Sequence, residues 1–309
     1  MKKFLSLVCI VLGIWWISHT YTNSFQASVP PGNSPAITSP GQNPVISAES
    51  AILIDQKSGK ILYQKNAHTQ LYPASTTKIL TALLALEYGD LDDVVTVGNE
   101  IQLVQPASSK AGLFMGQEIR LSDLLYGLML PSGNDAAYTI AVYVAGKVNP
   151  DEELRSKEAV SLFVYLMNKK ARSLGALESH FENPDGYHNV NHYSTAADLS
   201  AIAQAAMQYP FFRRVAATES YHYRSQESNT ADSQQQNFSW KNTNLLLDQQ
   251  SPYYDPAVTG LKTGHTKEAG YCLVASVARN NRKLIAVVLK ASETGVWTDT
   301  RELLDFGFR

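Results

Sequence analysis

The sequence predicts an α+β fold, in which the two ends of the chain build one antiparallel sheet and a helical region is inserted between them. Three observations predict it. Two short apolar runs flank residues 57–59, Lys-Ser-Gly, which is typical of a β-hairpin. Helical spacing of apolar residues dominates the middle of the chain, and three β-branched or apolar runs follow near the C-terminus. Strands first, helices next and strands last favour pairing of the two ends.

The first residues of the chain have the layout of an export signal. Lys2 and Lys3 precede an apolar run over residues 4–17, after which the chain becomes polar. The run is shorter than the ~20 residues that a spanning helix needs, so we interpret residues 1–27 first as a cleaved signal peptide and second as a retained N-terminal anchor. Both interpretations predict export, to the bacterial periplasm or to the outer face of the cytoplasmic membrane and the cell wall space.

Residues 28–47 are rich in Pro, Gly, Ser and Asn and lack hydrophobic periodicity, which is typical of a flexible linker. The folded domain is therefore expected over residues 48–309. Cys9 lies in the predicted signal, so Cys272 has no partner for an internal disulfide, and in the apolar stretch YCLVASV we expect it to be a buried small hydrophobe. The formal net charge of -2 gives no electrostatic basis for binding nucleic acid.

The middle of the domain consists of predicted helices separated by breakers. Five segments have helical spacing of apolar residues: Thr76–Tyr88, Ser122–Leu130, Asn134–Ala145, Asp151–Leu174 and Thr195–Gln208. Ser122, followed by Asp123, and Ser194 with Thr195 are the expected caps of their helices, and Pro131 and Gly175 interrupt the pattern. The polar residues 225–237 have the composition of an exposed loop.

The last part of the chain supplies the remaining strands. The runs AVTGLKTG, GYCLVASVA and KLIAVVLK are β-branched and apolar and are separated by polar turns, so each is predicted to be a strand. The closing segment TDTRELLDFGF has helical spacing and is predicted to be the last helix.

Ser75 and Lys78 are candidate catalytic residues because they lie three residues apart at the start of the first predicted helix. Residues with this spacing share a helix face, so the hydroxyl and the amine can touch. A serine needs a base to become a nucleophile, and a lysine is a base only when burial or another cation lowers its pKa. The alternative is an N-cap serine with a solvated lysine, since Ser-x-x-Lys arises by chance roughly once in a chain of this length.

Two further tripeptides make chance a poor explanation. Ser132-Gly133-Asn134 lies between two apolar predicted helices, where a loop can place a hydroxyl and an amide in a cleft. Lys262-Thr263-Gly264 lies on a predicted strand, where the glycine allows a ligand to approach the backbone. By composition, Lys-Thr-Gly is expected in fewer than about one chain in ten, and the ordered trio in far fewer.

STTK, SGN and KTG resemble the three signatures of penicillin-binding proteins and serine β-lactamases. The flanking segments PASTTKILTAL, LPSGNDAA, NHYSTAADL and LKTGHTKEAGYCLVAS are similar to the low-molecular-weight D-alanyl-D-alanine carboxypeptidases, serine peptidase family S11, over residues 48–309. The resemblance implies a penicillin-binding-protein-like fold and an enzyme that removes the terminal D-alanine from peptidoglycan stem peptides ending in D-Ala-D-Ala. It also implies an acyl-enzyme, inhibition by β-lactam antibiotics such as penicillin, and no metal or other cofactor.

The same resemblance implies a role for each site residue. Ser75 is the expected nucleophile, Lys78 its base, made neutral by burial and by the cation of Lys262, and Ser132 the relay of a proton to the departing D-alanine. The remaining expected residues bind substrate or orient groups: Asn134, Lys262, Thr263, Gly264, His265 and Arg301. Among these, Lys262 and Thr263 hold the terminal carboxylate, with Arg301 assisting, and the backbone N–H groups of Ser75 and His265 form the oxyanion hole.

Many members of the family continue past LLDFGF into a β-rich domain and a membrane-binding tail, whereas this sequence ends at Arg309. Membrane attachment is therefore expected only through the N-terminal segment. A D,D-endopeptidase and a weak β-lactamase of the same fold stay open as alternatives. A zinc D,D-peptidase using His188 and His192, four residues apart, and a non-catalytic wall-binding module are weaker ones.

Overall fold

A computed structural model describes residues 43–224 and 237–309. The predicted signal or anchor, the linker up to residue 42 and nearly all of the predicted exposed loop lie outside the described residues. Within those two ranges, none of the helices combines the length and the apolar character needed to cross a membrane.

A five-stranded antiparallel sheet forms the centre of the molecule. The described strands are β1 (Ser50–Asp55), β2 (Ile61–Lys65), β3 (Val94–Thr96), β4 (Glu118–Arg120), β5 (Ser220–Arg224), β6 (Asn237–Lys241), β7 (Val258–Thr266), β8 (Gly270–Arg279) and β9 (Arg282–Ala291). The order in the sheet is β2-β1-β9-β8-β7, with β7 at one edge. β1 pairs with β9, Leu53 opposite Ala286, so the two ends of the domain meet as predicted.

The helices follow the predicted pattern, except that the helix over Pro210–Ala217 was not predicted. They are α1 (Lys78–Tyr88), α2 (Leu121–Met129), α3 (Asn134–Val148), α4 (Ser156–Ser173), α5 (Ala196–Ala206), α6 (Pro210–Ala217) and α7 (Gly295–Phe306). The prediction of Ser122 as an N-cap is wrong, because α2 begins one residue earlier and Arg120 is its N-cap. The Thr195 cap is confirmed, since its side chain accepts the Asp198 N–H at 3.0 Å.

The sheet is covered on both faces because successive strand residues point to opposite sides. Ile52 belongs to the large core with α1 and α5, whereas Leu53 belongs to a second core under α7. α1 is buried on every side from Lys78 to Ala85, which makes it the central helix of the larger core. Cys272 is buried in the same core, as predicted.

Two small hairpins were not predicted. β3 pairs with β4, and β5 pairs with β6, each outside the main sheet. Three-residue strands such as β3 are too short to show a two-residue period in the sequence. On β6, the Trp240 indole donates to the Ala111 carbonyl at 2.8 Å and packs against Gly127, so the β5–β6 hairpin is attached to the loop at Ala111 and to α2.

Candidate active site

Ser75 lies in a tight turn that the chain enters with a strained residue. Residues Ala74–Thr77 form a 3₁₀ turn that continues into α1, and Ala74 has φ 48°, in the left-handed region that non-glycine residues rarely adopt. A Cβ on Gly186 would lie 1.9 Å from the Ala74 carbonyl oxygen, so a neighbouring loop presses directly on this turn. Strain of this kind persists only where the surroundings fix it, as they do here.

Lys78 is fully buried and touches Ser75. Its Nζ lies 2.9 Å from Ser75 Oγ, 2.7 Å from Asn134 Oδ1 and 2.7 Å from the Asp185 carbonyl oxygen. Burial lowers the pKa of Lys78 from 10.5 to about 8, while the carboxylates of Asp185 and Asp135 oppose that change. The predicted contact between the hydroxyl and the amine is therefore present in the structure.

Asp185 is a part of this site that the sequence did not indicate. Its side chain is 1% exposed, and burial raises the pKa of its carboxyl although the charge of Lys78 opposes the shift. It also shares a hydrogen bond with the side chain of Asn134, whose amide nitrogen is the donor to a carboxylate. Asn-Pro-Asp-Gly over 183–186 signals a turn, but nothing in a turn signal shows that its carbonyl faces Lys78.

The Ser132 loop is fixed by backbone contacts. Ser132 is buried and has φ 62°, a second left-handed non-glycine residue. Ser109 Oγ donates to the Ser132 carbonyl at 2.8 Å. The buried Asp135 carboxylate accepts the backbone N–H groups of residues 111, 112 and 113 at 2.7 to 3.0 Å, which ties the segment after Ser109 to the start of α3.

Edge strand β7 brings the third motif next to Ser75. A Cβ on Gly264 would lie 2.9 Å from both the Ser75 backbone nitrogen and the Pro73 carbonyl oxygen, so only glycine permits this approach. Lys262 is buried, with Nζ 3.1 Å from the Thr263 carbonyl oxygen. Burial and then the charge of Lys78 lower the pKa of Lys262 well below its ordinary value, so without a ligand the pair does not hold two protons easily.

Ser75, Ser132, Thr263, Gly264 and His265 surround a cavity of about 260 Å³, which we call the hydroxyl-lined cavity. Its other lining residues are Ser109, Pro131, Thr243, Tyr271, Cys272, Val296 and Trp297. Lys78 reaches Ser75 from the buried side, where Asn134 accepts a hydrogen bond from the same amine, and neither Lys78 nor Asn134 lines the cavity. Three distant segments thus meet at one place.

Arg301 is not brought into this cavity. Its side chain is exposed on α7, and the guanidinium donates to the Pro252 carbonyl at 3.4 Å. The exposed His265 ring packs at 4.2 Å between centroids against Tyr271, at the rim. Arg301 was expected from the family resemblance, by its position in the last helix, and that position does not show which way the side chain points.

The two histidines of the zinc alternative have other partners. His192 is buried, its Nε2 lies 2.9 Å from Thr77 Oγ1, and its Nδ1 accepts the Glu182 backbone N–H at 3.2 Å. Burial lowers the pKa of His192 to about 3, so the ring is neutral and both nitrogens are engaged. His188 packs edge-on against Tyr72. Across the described residues, no group of three His, Cys, Asp or Glu side chains is placed to hold a metal ion.

A lysine amine held against a serine hydroxyl is the arrangement of enzymes that form acyl intermediates on serine without a histidine base. The model of the peptidase S11 family, described as D-alanyl-D-alanine carboxypeptidase, matches residues 37–293. The chain belongs to this family, which confirms the family predicted from the three motifs.

Individual relatives agree with the family. The D-alanyl-D-alanine carboxypeptidase DacF of Bacillus subtilis (strain 168) is 35% identical over 266 residues, which are 84% of this chain and 62% of the relative. The D-alanyl-D-alanine carboxypeptidase of Streptomyces sp. (strain K15) is 35% identical over 271 residues, 86% of this chain and 88% of that one. The chain thus spans less than two thirds of the Bacillus relative's length.

A solved structure confirms the predicted fold class. The crystal structure of the Streptomyces K15 DD-transpeptidase superimposes with a TM-score of 0.78 at 34% identity, covering 87% of this chain and 99% of that one.

Proposed function

We propose that the chain is a serine D-alanyl-D-alanine carboxypeptidase, which removes the terminal D-alanine from peptidoglycan stem peptides ending in D-Ala-D-Ala. The observation that carries the proposal is the contact of 2.9 Å between the fully buried Lys78 amine and the Ser75 hydroxyl. A buried amine with a lowered pKa can take the hydroxyl proton, which a solvated lysine cannot do at neutral pH.

The contacts of Lys78 suit a neutral base. A neutral amine has two hydrogens and one lone pair. Two of the three atoms within 2.9 Å, Asn134 Oδ1 and the Asp185 carbonyl oxygen, are acceptors only and use the two hydrogens. The lone pair is then left for the Ser75 hydroxyl, whose proton it accepts as the oxygen attacks the carbonyl of the penultimate D-alanine.

Binding of the substrate carboxylate determines whether Lys262 or Lys78 carries the proton. A terminal carboxylate next to Lys262 favours the ammonium form of that lysine. The ammonium of Lys262 then disfavours a second positive charge on Lys78. The structure shows the same repulsion from the other side, since the charge of Lys78 lowers the pKa of Lys262. Binding of the free carboxylate therefore favours the neutral form of Lys78. This is the effect that the resemblance implied for the cation of Lys262.

The remaining roles follow from position. The backbone N–H groups of Ser75 and His265 serve as the oxyanion hole, supported by the close approach of Gly264 to the Ser75 nitrogen. Ser132, buried at the edge of the cavity, passes a proton to the departing D-alanine nitrogen. Water then releases the acyl group from Ser75. Arg301 stays a prediction from the resemblance alone.

β-Lactam antibiotics are the second class of ligand. They carry a carboxylate next to a strained amide, so they react at Ser75 by the same steps and block the enzyme as a stable acyl-enzyme. Because the proposed substrates are part of the cell wall, the proposed site of action is outside the cytoplasm, in the periplasm or cell wall space. The N-terminal residues 1–27 are the proposed export signal or membrane anchor.

Transfer of the acyl group to an amine is a second candidate reaction. The observation that favours it is the likeness to the Streptomyces K15 protein, whose solved structure is described as a DD-transpeptidase. The acyl-enzyme is common to both reactions, and they differ only in whether water or an amine attacks it.

The proposal is tested by the mass of the intact protein after exposure to benzylpenicillin, followed by mapping of the labelled peptide. We expect one penicilloyl group on Ser75, and none on the Ser75→Ala variant. Thr76→Ala is the matched control, because Thr76 precedes Lys78 in the same turn but is buried away from the cavity. Labelling at another residue, or no labelling of folded protein, would reject the proposed acyl-enzyme.

A further inference from the structure

Thr243 is a residue of the hydroxyl-lined cavity that no motif indicated. It lies just after β6 between two buried asparagines, Asn242 and Asn244. Asn242 Nδ2 donates to the Thr218 carbonyl at 3.0 Å, and Asn242 Oδ1 accepts the Asn244 backbone N–H at 3.0 Å. The Thr243 backbone N–H donates to the Leu130 carbonyl at 3.2 Å. Its backbone is therefore held on both sides, while its side chain is exposed at the cavity.

The hydroxyl of Thr243 is paired with the hydroxyl of the third motif. Thr243 Oγ1 lies 2.5 Å from Thr263 Oγ1. A hydroxyl has one hydrogen, so only one of the two threonines donates within the pair. A ligand oxygen with negative charge can replace this mutual bond and accept a hydrogen from each threonine, which gives two charge-assisted hydrogen bonds in place of one neutral bond.

The charges around the pair favour an anion. Among the described residues that line the cavity, none is Arg, Lys, Asp or Glu, so no carboxylate opposes an anionic group there. The Lys262 amine lies directly behind the pair, with Nζ 3.5 Å from Thr263 Oγ1. Lys262 is 1% exposed, and among the described residues its amine donates to Thr263. A carboxylate bound by the two hydroxyls would supply the opposite charge that a buried lysine requires.

We propose that Thr243 is a specificity-determining residue, which binds the free carboxylate of the terminal D-alanine together with Thr263. The inference rests on the proposed function and adds to it a residue outside the three motifs. It assigns the discrimination between a free carboxylate and an amide to a pair of hydroxyls on two separate segments. Thr263 comes from the edge of the main sheet, and Thr243 from the end of the β5–β6 hairpin.

The test uses the full chain and two peptides, one ending in D-Ala-D-Ala and the same peptide with a C-terminal amide. Thr243→Val removes the hydroxyl at nearly constant volume and should lower kcat/KM for the free-carboxylate peptide roughly 10- to 100-fold, the effect of losing a hydrogen bond to a charged group. The amide peptide should change less than about threefold, because it offers no charge. Thr243→Ser keeps the hydroxyl and should restore the preference.

Thr259→Val is the matched control, because Thr259 lies on the same strand as Thr263 but pairs with Ser276 at 2.7 Å outside the cavity. An equal fall in kcat/KM for both peptides would show that Thr243 only supports the fold, and no fall for either peptide would show that it does not bind the carboxylate. Either result overturns the inference. Wild-type protein that cleaves neither peptide would instead reject the proposed function itself, and this inference with it. Melting temperatures confirm that the variants compared are folded.

Discussion

Replacing Lys78 with methionine should abolish acylation and at the same time stabilise the fold at neutral pH. Methionine fills nearly the same volume without a charge. Burial lowers the pKa of Lys78 from 10.5 to about 8. Each pKa unit corresponds to about 1.4 kcal/mol, so at neutral pH the buried amine costs the folded state roughly 3 kcal/mol.

The lost hydrogen bonds offset part of this gain. In the wild type the Lys78 amine donates to Asn134 Oδ1 and to the Asp185 carbonyl oxygen, at 2.7 Å each. Methionine leaves both oxygens without this donor. Each buried acceptor left without a donor costs about 1 to 3 kcal/mol. With both costs at the low end of this range, the net stabilisation is about 1 kcal/mol near pH 7, which is a rise in melting temperature of roughly 2 °C for a domain of this size.

The dependence on pH gives the sharper readout. Between the folded-state pKa of about 8 and the unfolded value of 10.5, the folded wild type binds fewer protons than its unfolded chain, so its stability rises with pH in this window. The methionine variant lacks this rise. Its advantage should be present at about pH 7, shrink above about pH 8, and reverse near about pH 10.5, where the wild-type amine is neutral in both states and keeps its hydrogen bonds.

The assay is urea unfolding of wild type, Lys78→Met and Lys57→Met at about pH 7 and about pH 10. Lys57 is exposed in the β1–β2 turn, so its variant should follow the wild type at both pH values. A stability difference between wild type and Lys78→Met that is the same at both pH values would refute the reasoning. It would mean that the buried amine is not desolvated in the way the structure indicates.

Three further predictions concern the surroundings of Ser75. Gly264→Ala places a Cβ 2.9 Å from the Ser75 nitrogen, so the rate of penicillin labelling should fall by at least about 100-fold while the circular dichroism spectrum stays unchanged. A labelling rate within about threefold of wild type would contradict the close approach of β7 to Ser75. Asp135→Asn removes one carboxylate oxygen that accepts the N–H groups of residues 111–113, and it should lower the free energy of unfolding in urea by about 1 to 3 kcal/mol. An unchanged free energy of unfolding would show that other contacts hold this segment. Lys262→Ala should impair turnover of free-carboxylate peptides more than that of their amides, and an unchanged preference would show that the carboxylate is bound elsewhere.

The architecture could be predicted because its signals are local. A hairpin turn at Lys57 to Gly59, apolar runs at strand length and five helical segments are each visible in the sequence, and strands at both ends leave few ways to bury them. Helix starts were less certain: the predicted helix from Asp151 begins at Ser156, and the cap expected at Ser122 is Arg120. Polar residues precede the apolar pattern of both helices, and tertiary contacts determine where the first turn of each helix begins.

The site was predictable only where residue type and spacing suffice. Ser75 and Lys78 touch because three residues on a helix are one turn, and that is local geometry. Asp185 and Thr243 reach the site from loops far away in the sequence, Asp185 through its carbonyl oxygen and Thr243 through its hydroxyl. Such groups are common in loops, so neither residue stands out in the sequence. Arg301 was expected from the family resemblance alone, and in the structure its guanidinium donates to the Pro252 carbonyl.

The same residues that form the core also give Lys78 its chemistry. A Ser-x-x-Lys occurs by chance in many chains, and in most of them the lysine is solvated and keeps its ordinary pKa. Here the seven residues that follow, from Ile79 to Ala85, are all buried, because α1 is surrounded by other elements on every side. Thr81 is the polar member of this stretch, and it too is buried, with its hydroxyl donating to the Pro184 carbonyl at 2.6 Å. The apolar helix is therefore a chemical requirement of the base as well as a structural one, and it separates this motif from its chance occurrences.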